Sequence, residues 1–185
     1  MHLNDHLFFF IFTSGKLLTF KFIWFMKKIA LFPGSFDPIT KGHESIILRA
    51  LPLFDKIIIA IGVNEQKKSF FPLENRKKWI RLVFEKYDQI DVITYEGLTV
   101  DLCKKLNVTY ILRGLRTSAD FEFERSIGQM NKKMLPELET VFLLTTPEYT
   151  ALNSNIVREI IRHGGDVSDF IPNGFDINEG LNSKL

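Results

Sequence analysis

From residue 28 onward, short apolar runs and stretches of helical periodicity follow one another in alternation. Residues 28–32 read as a β-type run that Pro33, Gly34 and Pro38 stop; Ile46, Ile47, Ala50, Leu51 and Phe54 then recur at helical spacing. Residues 56–63 are apolar almost throughout, the mark of a strand covered on both faces in a parallel sheet. A polar loop over 64–69 carries Lys67 and Lys68. Beyond it Trp79, Ile80, Val83, Phe84 and Tyr87 predict an amphipathic helix, with Arg76, Lys77, Lys78 and Arg81 on its other, solvated faces. The pattern continues as a strand over 90–94, a helix over 98–106, a strand over 108–112 and a helix over 119–134. A strand over 140–145 and a loop over 146–153 lead to a last helix with Ile156, Val157, Ile160 and Ile161, closed by Arg162, His163, Gly164 and Gly165. Cationic side chains in a last turn with glycine beyond are ordinary helix-end chemistry, so His163 is read as a cap rather than a ligand.

Five strands alternating with helices predict an α/β fold, a single doubly wound parallel five-stranded sheet whose loops gather into one crevice at the strands' carboxyl ends. The informative polar residues fall in those loops. Ser35 and His43 follow the first strand, Lys67 the second and Thr99 the third. Arg113 and Arg116, bracketing Gly114-Leu115 on one loop, follow the fourth; residues 149–155 follow the fifth.

Composition narrows the reading. A chain of 185 residues is long enough for one domain with a real core and short for two. Lys plus Arg number 24 against 22 Asp plus Glu, which gives no general polyanion surface and argues against nucleic acid as a partner. The single cysteine, Cys103, lies in an apolar stretch and reads as a packed helix thiol in a reducing, cytoplasmic compartment. Residues 1–25 are rich in Phe but broken by Lys16 and Lys21, so neither a membrane span nor a secretory leader fits. They are expected to precede a true start at Met26 or to form a disordered appendage, with an amphipathic membrane-touching segment as the alternative. Residues 26–171 then form the domain, and 172–185 a weakly patterned tail.

The stretch 33–43, PGSFDPITKGH, carries the chemistry. With Thr40 as N-cap, Lys41, Gly42 and His43 occupy the first helical turn, where free N–H groups and the positive helix end face an anion. Any α/β unit turns in a similar way, so geometry alone leaves phosphate binding and a plain connection both open. There is no G-x-x-x-x-G-K-[ST] loop, no G-x-G-x-x-G and no zinc spacing. What remains is His43, Lys67, Arg113 and Arg116 facing one helix start, a polyphosphate site of another design.

G-S-F-D-P-I-T-K-G-H resembles the signature of nucleotidylyltransferases with an H/T-x-G-H motif. Together with R-G-L-R-x-x-x-D-F-E-F-E it makes residues 26–171 similar to the bacterial phosphopantetheine adenylyltransferases. The resemblance implies a Rossmann-like nucleotidylyltransferase fold, and adenylyl transfer from ATP, with Mg²⁺, to 4′-phosphopantetheine in coenzyme A biosynthesis. It implies His43 and Lys67 as catalytic groups, with His43 stabilising the transition state in a charge state that stays open. Ser35 and Phe36 would bind ATP through the loop backbone, joined by Gly114, Leu115, Arg116 and Glu124. Tyr149, Thr150, Ala151, Leu152, Asn153, Ser154 and Asn155 would cover the triphosphate. Ser35, Lys67, Thr99 and Arg113 would hold the acceptor, no residue is assigned to a resident metal, and a homohexamer is implied. In the second family signature, I-S-S-[ST]-x-x-[RK], Asn153 and Asn155 stand in place of hydroxyls, while Ser154 and Arg158 are kept. Asn caps a helix as well as Ser does, so the last helix should still begin there. The alternatives are a sister enzyme using nicotinamide mononucleotide or glycerol 3-phosphate, or a non-catalytic adenine-nucleotide-binding module.

Overall fold

Residues 9–13, 16–20, 27–64 and 68–182 are described by a computed structural model of the chain. Strands β1 (Phe9–Thr13) and β2 (Lys16–Phe20) form an antiparallel pair with Phe9 opposite Phe20, in the segment whose composition suggested an appendage. Among the described residues they pair only with one another. The main sheet consists of β3 (Ile29–Gly34), β4 (Lys56–Gly62), β5 (Ile90–Tyr95), β6 (Tyr110–Leu115) and β7 (Glu139–Leu144), ordered β5-β4-β3-β6-β7 and parallel throughout. The order steps outward both ways from β3, so the crevice at a reversal of strand order lies between β3 and β6.

Successive residues of the central strands point to opposite faces and are buried on both. Ala30, Phe32, Ile57, Ile59 and Ile61 join one core layer, Leu31, Ile58 and Ala60 the other. The first layer is covered by α1 (Lys41–Ala50), α2 (Leu73–Val83) and α5 (Ser154–Arg162), which contribute Ile46, Ile47, Trp79, Ile80 and Val157. The second is covered by α3 (Thr99–Leu106), through Val100 and Cys103, and by the turn that follows the long helix α4 (Ser118–Met134), through Leu135 and Leu138. Burial pushes the Cys103 thiol up to about 11, as fits a packed and unreactive side chain. Among the described residues no helix is long and apolar enough to cross a membrane.

Three boundaries differ from the periodicity. Helix α1 stops at Ala50 and gives way to a 3₁₀ turn, Leu51–Leu53, because Pro52 lacks an N–H; Phe54 reaches the core from beyond the helix. Helix α2 begins directly after Pro72, which places Arg76 one turn before Trp79 and Ile80 on the same inward face. The expectation that Arg76 is solvated is therefore corrected: the side chain is only 3% exposed. Strand β6 runs on to Leu115, so Arg113, Gly114 and Leu115 are strand residues rather than loop residues. The two arginines consequently leave different elements. At the other end of α5, Gly164 (φ +73°) and Gly165 donate to Ile161 and Ile160, and exposed His163 caps the helix as read.

The tail beyond Pro172 packs on α2. The Phe175 ring stacks on Trp79 at 5.0 Å and Lys78 pairs with Glu179 at 2.7 Å, while Ile177 is buried and the short helix α6 (Glu179–Asn182) follows. Phe175→Ala removes that stack and is expected to lower unfolding free energy by about 2 kcal/mol in a urea titration.

Candidate active site

Each end of the 33–43 stretch is held by an element the sequence builds for the purpose. At its C-terminal end Thr40 is the N-cap of α1 and forms a reciprocal box with His43: the Thr40 N–H donates to His43 Nδ1 at 3.1 Å, and the His43 N–H donates to Thr40 Oγ1 at 3.4 Å. The Lys41 N–H donates to the Phe170 carbonyl at 2.9 Å. Of the first-turn N–H groups, that of Gly42 has no partner among the described residues, so it is the donor left for a ligand.

Because Nδ1 accepts, the imidazole proton resides on Nε2. Burial, then Arg113 and Arg116, lower the His43 pKa to about 4. Burial and the two guanidiniums thus favour the neutral ring, which offers an Nε2–H. The ring is clamped edge-on by Phe36 at 5.2 Å and Phe32 at 6.5 Å.

Phe36 adopts φ +46°, a conformation a bulky residue visits rarely, and its ring turns into the core. A Cβ on Gly34 would stand 2.9 Å from that ring, so only glycine fits beneath it. The Asp37 carboxylate is buried, accepting from the N–H groups of Phe70 (2.7 Å) and Phe71 (2.8 Å).

Two cavities open on this loop, of about 840 and 440 Å³, and Pro33, Gly34, Ser35, Arg113 and Glu124 line both. Arg113 and Glu124 are locked by a bidentate ion pair, with Arg113 Nε donating at 2.8 Å, and Arg113 Nη1 also donates to the Pro33 carbonyl at 2.6 Å. Two of the five guanidinium N–H groups remain free of these bonds. Glu124, a solvated helix carboxylate by pattern alone, is in fact buried. The larger cavity continues along Gly62, Tyr95, Leu98, Thr99, Ile127 and Asn131; Thr99 Oγ1 meets the Tyr95 hydroxyl at 2.9 Å.

The smaller cavity is polar in its residues: Thr40, Gly42, His43, Gly114, Arg116, Asp120 and residues 152–155. Two helix starts face it, those of α1 and α5. Asn153 caps α5, accepting from the Ile156 N–H at 3.0 Å, so the replaced hydroxyl keeps its capping role. Ser154 Oγ donates to the Pro38 carbonyl at 2.9 Å, and Asn155 accepts from Arg158. Arg116 grips Asp120 through Nε at 2.9 Å; burial works against the Asp120 charge, but the Arg116 bonds outweigh it and hold the carboxyl below its usual range.

Not every residue named from sequence is gathered here. Leu115 is buried in β6, and Tyr149, Thr150 and Ala151 fall in and after a 3₁₀ turn, Pro147–Tyr149, outside the cavity lining, with Tyr149 beside Gly42 at the start of α1. Lys67 lies outside the described residues. Conversely, Arg76 and Asp120 belong to the loop and cavity. The first had a legible signal, since its number falls in register with Trp79 and Ile80.

Comparison with known proteins agrees with this geometry. The cytidylyltransferase-like family model matches residues 31–160. A phosphopantetheine adenylyltransferase of Flavobacterium psychrophilum is 56% identical over 143 residues, 77% of this chain and 94% of that protein. One from Leptospira biflexa is 52% identical over 147 residues, 80% of this chain and 92% of that protein. Among solved structures, a putative nicotinate-nucleotide adenylyltransferase from Vibrio parahaemolyticus superposes with a TM-score of 0.61 at 19% identity, covering 79% of this chain and 94% of that one, which speaks to the fold alone. With identity above half across nearly the whole length of such relatives, this chain belongs to the phosphopantetheine adenylyltransferase family.

Proposed function

We propose that the chain transfers the adenylyl group of ATP to 4′-phosphopantetheine, releasing pyrophosphate and forming dephospho-coenzyme A. The observation that carries this reading is a pair of cavities sharing one wall, Ser35 with the Arg113–Glu124 pair, beside a neutral histidine donor. The nucleotide fits the smaller cavity, where two helix starts, Arg116 and Ser154 suit a triphosphate. The acceptor's pantetheine arm fits the larger one, along Leu98, Thr99 and Ile127, with its phosphate against the free donors of Arg113; the family resemblance adds Lys67, which lies outside the described residues, to that phosphate. An acceptor oxygen then attacks the α-phosphorus as the bond to the β-phosphate oxygen breaks, and the electron pair leaves with pyrophosphate. A phosphate monoester has its second pKa near about 6, so no general base is required. The protein supplies alignment and donors, the His43 Nε2–H foremost, aimed at oxygens that gain charge. Mg²⁺ enters as part of the nucleotide substrate. The apolar face of α4, with Phe123 67% and Met130 59% exposed beside Met134, supports assembly into a homo-oligomer such as the implied hexamer.

Pyrophosphate release from Mg²⁺–ATP should be rapid with 4′-phosphopantetheine and negligible with nicotinamide mononucleotide or glycerol 3-phosphate; equal rates with nicotinamide mononucleotide overturn the acceptor assignment. His43→Ala should lower kcat on the order of 10²-fold or more while ATP affinity by calorimetry changes far less.

The His43 shift also makes stability depend on pH. Unfolded, the imidazole takes a proton near 6.5, whereas folded it resists protonation down to about 4. Between those values the unfolded chain binds more protons, so this contribution is full above the upper value and is lost as pH falls through the window. Urea titrations of wild type and His43→Gln at pH 7 and pH 4.5 should show the smaller pH dependence in the variant.

A further inference from the structure

A buried arginine with an incomplete set of partners lies behind the substrate loop. Arg76 donates through Nη1 to the Ser35 carbonyl at 2.8 Å and through Nη2 to Ser69 Oγ at 3.2 Å, while its Nε is buried without a hydrogen-bond partner. Burial lowers its pKa from the ordinary value, opposed by the neighbouring Asp37 carboxylate. Taking a guanidinium out of water for two hydrogen bonds is poor value for stability, since an apolar side chain of similar volume would serve the core as well. Nor does Arg76 line either cavity.

Its partner tells what it does. Four carbonyls of the 33–38 segment are each taken by a side-chain donor: Pro33 by Arg113 (2.6 Å), Ser35 by Arg76 (2.8 Å), Asp37 by Arg158 (2.6 Å) and Pro38 by Ser154 (2.9 Å). The N–H groups of Ser35, Phe36 and Asp37 have no such partner among the described residues. Carbonyl oxygens and N–H groups of one peptide point in opposite directions. Of the held oxygens only that of Ser35 shares its peptide with one of these N–H groups, that of Phe36, since the Asp37 carbonyl is joined to Pro38, which has none; drawing the Ser35 oxygen away therefore leaves the Phe36 N–H for an anion. The four donors also hold Phe36 in its left-handed conformation, which persists only where its surroundings over-determine it. Of these donors, Arg76 is the one that acts on the peptide joining Ser35 to Phe36, and it ties that peptide to residue 69 in the β4–α2 connection.

We propose that Arg76 is a positioning residue for adenylyl transfer: by holding the Ser35 carbonyl away from the cavities it fixes the Ser35–Phe36 peptide with its N–H toward the reacting phosphates. The inference rests on the proposed reaction for its kinetic readout, and on ATP binding alone for a second.

In the full chain, Arg76→Met should lower kcat on the order of 10²-fold with both KM values changed less than about threefold, because a loosened peptide costs alignment in the transition state. Arg76→Lys, which keeps the charge and one donor, should recover part of that loss. Ile80→Ala on the same helix serves as the control for lost stability. Hydrogen exchange of the peptide spanning 34–40 should be slowed by ATP in wild type, and less so in Arg76→Met at a temperature where both are folded. Wild-type kcat in Arg76→Met, or an equal fall in Ile80→Ala at equal loss of Tm, overturns the proposal; should Arg76→Met not fold, wild-type kcat in Arg76→Lys does the same. If wild type turns over no 4′-phosphopantetheine, the reaction assignment fails, and the Arg76 role is still decided by whether ATP protects residues 34–40 equally in both proteins.

Discussion

The bond from the Thr40 N–H to His43 Nδ1 is the constraint on which the site is built. It closes the first turn of α1, fixes the imidazole tautomer and directs the remaining ring N–H away from the helix. In most capping boxes a Glu or Gln occupies the third position; a carboxylate there would set a negative charge beside bound phosphates. Histidine accepts the same backbone bond and still has a donor to give. Because the ring is also packed among Phe32, Phe36 and the nearby arginines, it stays uncharged and needs no rearrangement to act.

Around that bond the loop is governed by a division of labour between oxygens and nitrogens. Side chains from α2, β6 and α5 take the carbonyls, and the Gly42 N–H in the first turn of α1 and the N–H groups of Ser35, Phe36 and Asp37 are left without partners among the described residues. The parallel sheet makes this possible, since β3 and β6 are adjacent and bring Arg113 against Pro33 across a distance of 80 residues in the chain. An ion pair between Arg113 and Glu124 then serves as the partition between two chambers, stiff because the pairing is bidentate and mostly shielded from water.

Much of this is legible in the letters. The apolar run over 56–63, the helix start at Thr40 and the order of elements all follow from local pattern, because central parallel strands and capped helices are encoded within a few residues. Asn153 reads as a cap and is one, since capping depends on a short acceptor rather than on a hydroxyl. What local pattern does not encode is which polar side chain is buried. Arg76 and Glu124 look like surface charges in their own helices, and only tertiary contacts with Ser35 and Arg113 reveal otherwise. The extent of β6 was likewise hidden, as a strand ending in Arg-Gly-Leu offers no apolar alternation to follow.

The Phe175–Trp79 stack seats the C-terminal segment on the helix that carries Arg76. Helix α2 bears Trp79 on the same buried stripe as Arg76, one turn apart, so the last residues cover from outside the helix that holds the Ser35 carbonyl from within. Sequence separation hides this linkage; a region that looks like an afterthought in the primary structure packs on the helix that supports the 33–38 loop.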